Sequence, residues 1–332
     1  MNVAHYNERT KLQFTVEFIT PTFLGGANGD AEIRTAPFKN LLRRWWRIVK
    51  SDLDPEDLWK HECELFGSAA DKNSTKSKVE LHSVEPPQYL GEKGEVVDKD
   101  SDNEALSYLG YGVIDNKGAA TKKYVPVGFK KQRDLTIKIC SEWKLSLSFP
   151  SEYREEIIQT LYYIDCFGTI GTRSKKGFGS IAVRPGNFNF DNYSINGKNI
   201  DEIMDSKDEK NYPNSIVSDS DGFMIWTTEG DVRYVNVMKT FYDIYIRAKE
   251  ILNLALLGAA KGSQLPVGAK RLPSMLTLKI FKDVNKYHGC LILTPYIVKG
   301  WNSKFWEQEV LKLCKFFDEK KSIKRWNVGG AK

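Results

Sequence analysis

From Lys11 to Ile19 polar and apolar residues alternate, which puts Leu12, Phe14, Val16 and Phe18 on one side of a strand. The alternation stops at Thr20-Pro21 and the glycines Gly25, Gly26 and Gly29, and Pro37 then opens a helix to about Lys50. A half-buried strand, a glycine loop and an amphipathic helix in direct succession form a unit of a mixed helix-and-sheet layer. A short helix from Pro55 to Phe66 follows, again with proline in its first turn.

The rest of the chain repeats the mixture. Val79 to Val84 reads as a strand, and Glu85 to Asn103 is a charged, turn-rich loop. Tyr108–Ile114 and Lys123–Phe129 flank Asp115-Asn116-Lys117-Gly118, which is hairpin chemistry. A long strand is expected from Leu135 to Phe149, then a helix from about Glu152 to Phe167 capped by Ser151 and carrying Ile157, Leu161 and Ile164 at helical spacing, then a short strand to Val183. Asn187 to Ser220 is rich in Asn, Asp, Ser and Lys, which marks a boundary or insertion. Beyond it the spacing predicts a strand at Phe223–Thr227, a helix over Val235–Leu257, strands at Met275–Phe281 and Cys290–Tyr296, and a helix from Ser303 to Phe317. The order fits an α+β chain of two ferredoxin-like (RRM-like) modules with insertions, divided as 1–188, a polar linker or insertion at 189–220, and 221–332.

Composition narrows the function classes. At 332 residues and 41% apolar the chain can bury a core in each module. A net charge of +6 permits a polyanionic partner without requiring one. The cysteines, at 63, 140, 166, 290 and 314, are odd in number and contain no C-x-x-C pair, so neither a metal site nor a disulfide framework is expected, and no cofactor is implied. With no apolar signal core and no run of about 18 apolar residues, the expected setting is cytoplasmic, without membrane insertion.

Three basic segments hold candidate binding residues. On the helix from Pro37, Lys39, Arg43, Arg47 and Lys50 fall opposite the apolar face of Phe38, Leu41, Leu42, Trp45, Ile48 and Val49, with Trp46 on the seam. Such a ridge can follow a phosphate backbone while Trp46 stacks on a base, or it can be an ordinary solvated face. The stretch Gly168 to Gly179 places Gly171, Arg173, Ser174, Lys175, Lys176 and Gly177 together with no acid among them. Glycines there allow a polyanion close to the backbone, and successive N–H groups can form an anion nest. The loop follows a helix and precedes a strand, the reverse of a nucleotide-binding loop. Lys270 and Arg271 form a third, weaker basic stretch, and Lys320, Lys321, Lys324 and Arg325 with Trp326 read as a mobile basic tail.

Thr20-Pro21-Thr22-Phe23-Leu24-Gly25-Gly26, Leu42-Arg43-Arg44-Trp45-Trp46-Arg47 and the Gly168–Gly179 loop, in that order and spacing, resemble the RAMP superfamily, in particular a RAMP subunit of the type III-B CRISPR (Cmr) effector complex. The resemblance implies paired ferredoxin-like modules that contact crRNA and target single-stranded RNA near the guide 3′ end, beside other Cmr complex subunits. It implies no catalytic role, since target cutting in that family belongs to a different subunit. The alternative is a metal-independent crRNA-processing endoribonuclease of the same superfamily, which would use a histidine base; the chain has His5, His61, His82 and His288, none adjoining the glycine loop.

Overall fold

In the computed structural model the described residues are 8–25, 32–69, 74–87, 104–111, 114–116, 126–129, 141–200, 215–251, 274–296 and 303–326. The first half contains β1 (Arg9–Phe18), α1 (Ala36–Val49), α2 (Pro55–Phe66), β2 (Glu80–Glu85), α3 (Glu104–Leu109), β3 (Ile114–Asn116), β4 (Pro126–Phe129), β5 (Glu142–Pro150), α4 (Arg154–Phe167) and β6 (Ile181–Pro185). The second contains β7 (Lys198–Asn199), β8 (Val217–Asp219), β9 (Gly222–Phe223), β10 (Ile225–Thr228), α5 (Tyr234–Ile251), β11 (Leu276–Asp283), β12 (Lys286–Leu293), α6 (Ser303–Asp318) and β13 (Ile323–Arg325).

Two antiparallel four-stranded sheets carry the architecture, in the orders β2-β5-β1-β6 and β11-β12-β10-β13. Numbered within its own module, each sheet has the strand order 2-3-1-4, with a helix after the first strand and another after the third. This is the split βαβ arrangement of a ferredoxin-like module, present twice. In the first module Leu12, Phe14, Val16 and Phe18 of β1 meet Phe38, Leu41 and Trp45 of α1 and Ile157, Leu161 and Ile164 of α4. The helix stripes and the strand alternation find each other as their periods require.

The second sheet is covered on both faces. On one side Trp226, Leu276, Leu278, Ile280, Leu291 and Leu293 pack under α5 and α6; on the other Ile225, Cys290 and Ile292 enter the core of the first module. Thr277 and Lys279, the intervening residues of β11, are therefore buried although polar. Lys279 reaches the C-terminus of α4, where its Nζ donates to the carbonyls of Ile164, at 3.2 Å, and Asp165. A cation there meets the unpaired carbonyls and the negative end of the helix dipole.

Several local readings change. Tyr108 and Leu109 belong to α3 and not to a strand arm, because Leu106 and Leu109, three residues apart, are both buried under α5. The hairpin consists of the short arms β3 and β4 alone. Of the strand expected from Leu135, residues 130–140 lie outside the described residues. Ser151 does not cap α4; it opens a 3-10 turn and accepts from Thr10 Oγ1 at 2.9 Å. The polar stretch after Asn187 buries Ile195, Ile200 and Ile216, and it forms a small sheet from β7, β8 and β9. The basic tail is part of the fold: β13 pairs with β10, Arg325 reaches Asp219 at 2.6 Å, and the Trp326 ring lies 5.8 Å from that of Phe167.

Trp46 is the main correction on α1. It is 1% exposed, not on a seam, because α2 folds back over that side and Phe66 meets its ring edge-on at 5.6 Å. Trp45, 2% exposed, lies on the opposite side against Phe167 at 5.8 Å. Each Trp→Ala change is therefore expected to cost about 3–5 kcal/mol in urea unfolding, with no difference between the two sites. Trp46→Phe should cost much less, since the Trp46 indole N–H is buried without a partner and its removal relieves that penalty.

Candidate nucleic-acid interface

The glycine loop after α4 lies against the turn after β1, so two distant sequence segments form one structure. Thr172 N donates to Phe23 O at 2.9 Å and Gly179 N to Pro21 O at 3.0 Å, while Thr20 Oγ1 donates to Gly177 O at 2.8 Å. Gly171 (φ +91°) and Gly179 (φ +66°) are left-handed, and a Cβ on them would stand 2.5 Å from Phe23 O and 1.8 Å from Ile170 O. No other residue type fits there. The same loop joins the second module: Gly177 N donates to Leu278 O at 3.2 Å and Leu278 N to Lys175 O at 3.1 Å.

This docking changes what the loop can offer a ligand. The amides of Ile170, Thr172, Lys176, Gly177 and Gly179 all donate to protein carbonyls, so they form no open anion nest. Gly177 is buried beside Met238, out of reach of a polyanion. Ser174 is half-buried. The Lys175 ammonium turns to the carbonyl of Ser274 at the start of β11. Burial, with repulsion from Arg44, lowers its pKa to about 7. Of the loop's three cations, Arg173 alone is exposed, held at φ 62° at the tip of the turn.

Beside Arg173 opens a cleft of about 390 Å³ between the glycine loop, α3 and α5. Tyr108, Tyr111 and Tyr245 line it with Arg173 and Lys176. Lys176 Nζ stands 3.4 Å from the centre of the Tyr245 ring, and the Arg173 guanidinium lies 5.9 Å from that of Tyr111. Lys249 joins them, donating to Tyr108 Oη at 2.8 Å. Ring faces attract cations but do not neutralise them. Among the described residues no carboxylate lines the cleft. Burial, and then repulsion from Lys249, Arg173 and Lys175, lowers the Lys176 pKa to about 7. Cationic side chains and flat aromatic surface thus stand close together.

The α1 ridge is arranged differently. Arg43 and Arg47 both close on the Glu62 carboxylate of α2, which is buried, and Lys50 pairs with Glu156 at 3.4 Å. Lys39 Nζ donates to Ser77 Oγ at 2.7 Å and Val79 O at 2.9 Å. Burial, then the Arg43 charge, lowers its pKa, with Glu80 acting against them. The ridge charges are engaged by protein groups supplied by α2, the segment leading into β2, and α4, which the helical wheel alone does not reveal. Lys270 and Arg271 lie outside the described residues. His61 and His82 are exposed on α2 and β2, and His288 stacks on Phe281 at 5.1 Å; none lines the cleft, and His5 lies outside the described residues.

The model of the RAMP superfamily matches residues 15–182, which span β1 through the glycine loop into β6. The chain belongs to the RAMP superfamily. This RAMP chain is 25% identical over 178 residues to the CRISPR system Cmr subunit Cmr1-2 of Pyrococcus furiosus, covering 52% of this chain and 94% of that protein. Its fold matches the crystal structure of apo Cmr1 from Pyrococcus furiosus, with a TM-score of 0.50 at 19% identity, over 88% of this chain and 90% of that one. It also matches a chain in the cryo-EM structure of the type III-B Cmr-beta bound to cognate target RNA, with a TM-score of 0.53 at 13% identity, over 93% of this chain and all of that one.

The sequence reading missed the RAMP cleft's aromatic half. Tyr245 and Lys249 stand four apart on α5, a spacing that puts a cation beside a ring. Tyr108 and Tyr111 were hidden by assigning them to a strand arm, where they would not converge on a helix end.

Two tests follow from these placements. Replacing Arg43 and Arg47 together by alanine leaves the Glu62 carboxylate buried without its cations, and the loss should approach the ~3–5 kcal/mol typical of a broken buried pair. Glu62→Gln should cost less, since Arg43 and Arg47 can turn to solvent. Urea unfolding distinguishes this from a purely RNA-facing ridge, whose loss would leave stability unchanged. The second test is pH. Lys175 and Lys176 release their protons near pH 7 when folded and near their ordinary 10.5 when unfolded. The unfolded chain thus holds more protons above pH 7, and stability should rise from about pH 7 to about pH 8.5. The buried Cys290 and Cys314 thiols, raised from 9.0 to about 12, oppose this only above pH 9. Lys176→Met should flatten the rise in chemical unfolding at fixed ionic strength.

Proposed function

We propose that this RAMP protein is a non-catalytic, RNA-binding subunit of a type III-B CRISPR–Cas (Cmr) effector complex in the cytoplasm. It contacts crRNA and target RNA near the guide 3′ end, beside other Cmr subunits. The observation that carries the proposal is the cleft lined by Arg173, Lys176, Tyr108, Tyr111 and Tyr245, with Lys249 against Tyr108 beside it and no carboxylate among its described lining residues. Cations and ring faces interleaved along a groove are what sequence-tolerant single-strand binding requires. Kinship with the Pyrococcus furiosus Cmr subunit supports the assignment to that complex.

Among the described residues the cleft has cations and rings but no histidine or carboxylate to take a 2′-hydroxyl proton, which favours holding RNA over cutting it. No helix among the described residues is long and apolar enough to cross a membrane.

The purified protein should bind fluorescently labelled single-stranded RNA with little base preference. Affinity should fall with salt at a log–log slope of about −0.7 for each phosphate neutralised. Arg173→Gln should shallow that slope, and the RNA should remain intact through incubation with Mg²⁺. A salt-independent affinity, or cleavage lost on replacing His82, would overturn the reading.

A further inference from the structure

The cleft beside Arg173 has a shape that general backbone binding does not require. At about 390 Å³ it lies at the small end of ligand pockets, which run from about 300 to 1,000 Å³. One base with its ribose fills such a space; a stacked run of bases does not. Tyr111 is 61% exposed, an unusual state for a large ring, yet its backbone is fixed. Gly110 N donates to Leu106 O at 2.8 Å and Tyr111 N to Tyr108 O at 3.3 Å, and Leu106 and Leu109 anchor the same turn in the second core. The ring is therefore a shelf on a rigid support. Opposite it, Arg173 occupies the left-handed region at φ 62°, a conformation that costs a non-glycine residue energy and persists where surrounding structure enforces it.

We infer that this cleft is a site for a single unstacked RNA base, laid on the exposed face of Tyr111, with its flanking phosphate held by Arg173 and Lys176. The inference rests on the RNA-binding reading above and adds a discriminating property to it. Bases paired in an A-form helix keep their faces against neighbours, and only a splayed nucleotide can present one to a protein ring. The site therefore selects unpaired RNA, and it does so by stacking, independently of base identity. An acidic segment of a neighbouring protein would use the same cations but would gain little from a bare ring face, and the test separates the two.

The test compares wild type, Tyr111→Ala, Tyr111→Phe and Arg173→Gln for binding to a labelled single strand and to a blunt RNA duplex of equal length, together with their melting temperatures. Tyr111 is exposed, so its variants should melt like wild type. Tyr111→Ala should weaken single-strand binding about 5- to 150-fold, the equivalent of the ~1–3 kcal/mol of one base–ring stack. Its salt slope should be unchanged, Tyr111→Phe should bind like wild type, and duplex binding should not respond to the ring. A strand with 2-aminopurine at successive positions should show one site whose emission changes on binding wild type and not on binding Tyr111→Ala. If Tyr111→Ala binds the single strand like wild type while Arg173→Gln weakens it, the base site is wrong and the RNA-binding reading stands. If neither substitution alters binding, both fail at this cleft. Equal losses on single strand and duplex would also overturn the base site, since no free base is then being read.

Discussion

The buried ammonium of Lys279 at the C-terminus of α4 is the contact on which the arrangement of the two modules depends. Moving a cation out of water costs several kcal/mol, and the carbonyls of Ile164 and Asp165 offset that cost here. Those carbonyls belong to one module and the lysine to the other, so separation would leave an end-of-helix deficit on one side and reopen an apolar face on the other. Burial pushes the lysine pKa down, the nearby Asp165 acting in the opposite sense. Ile225, Cys290 and Ile292 enter the first module's core around that contact, while their neighbours Trp226 and Leu291 face the second. Ile19, Phe23 and Phe178 cross in the other direction. The two cores interlock, and the glycine loop lies in the seam between them.

That position explains why the loop's three cations differ, two lysines drawn inward and one arginine left outside. Lys175 and Lys176 are drawn into the seam by the backbone pairing with Leu278, and both are held near neutrality in their pKa. Arg173, at the outer end of the same turn, faces the cleft. A phosphate arriving there would meet a guanidinium already in place and an ammonium whose protonation it would restore.

The tyrosines come from the far side of the junction. Tyr245 is on α5, Tyr108 and Tyr111 at the end of α3, and α3 is fastened by Leu106 and Leu109 into the second module's core. The cleft therefore exists only when both modules are docked: Arg173 and Lys176 from the first, Tyr108 and Tyr111 from an insertion of the first, and Tyr245 and Lys249 from a helix of the second. An isolated module would have half of it.

Much of this was legible in the residues. The period-2 alternation of β1 and the helical stripe of α4 determined which faces are buried, and the βαββαβ order of the first half with the βαββα order read in the second pointed to the ferredoxin-like sheets, the last strand, β13, being hidden in a tail that reads as basic and mobile. The grouping of Arg173, Lys175 and Lys176 among glycines was likewise visible, as was the family. Tertiary structure decided what a one-dimensional pattern does not contain. Trp46 looked like a boundary residue until α2 covered it, and Arg43 and Arg47 looked like a free ridge until Glu62 was brought beneath them. Tyr111 joined Arg173 across 62 residues. Whether a charge is neutralised or left for a ligand depends on which distant side chain stands within a few ångströms of it, and distance in space is set by packing, not by position along the chain.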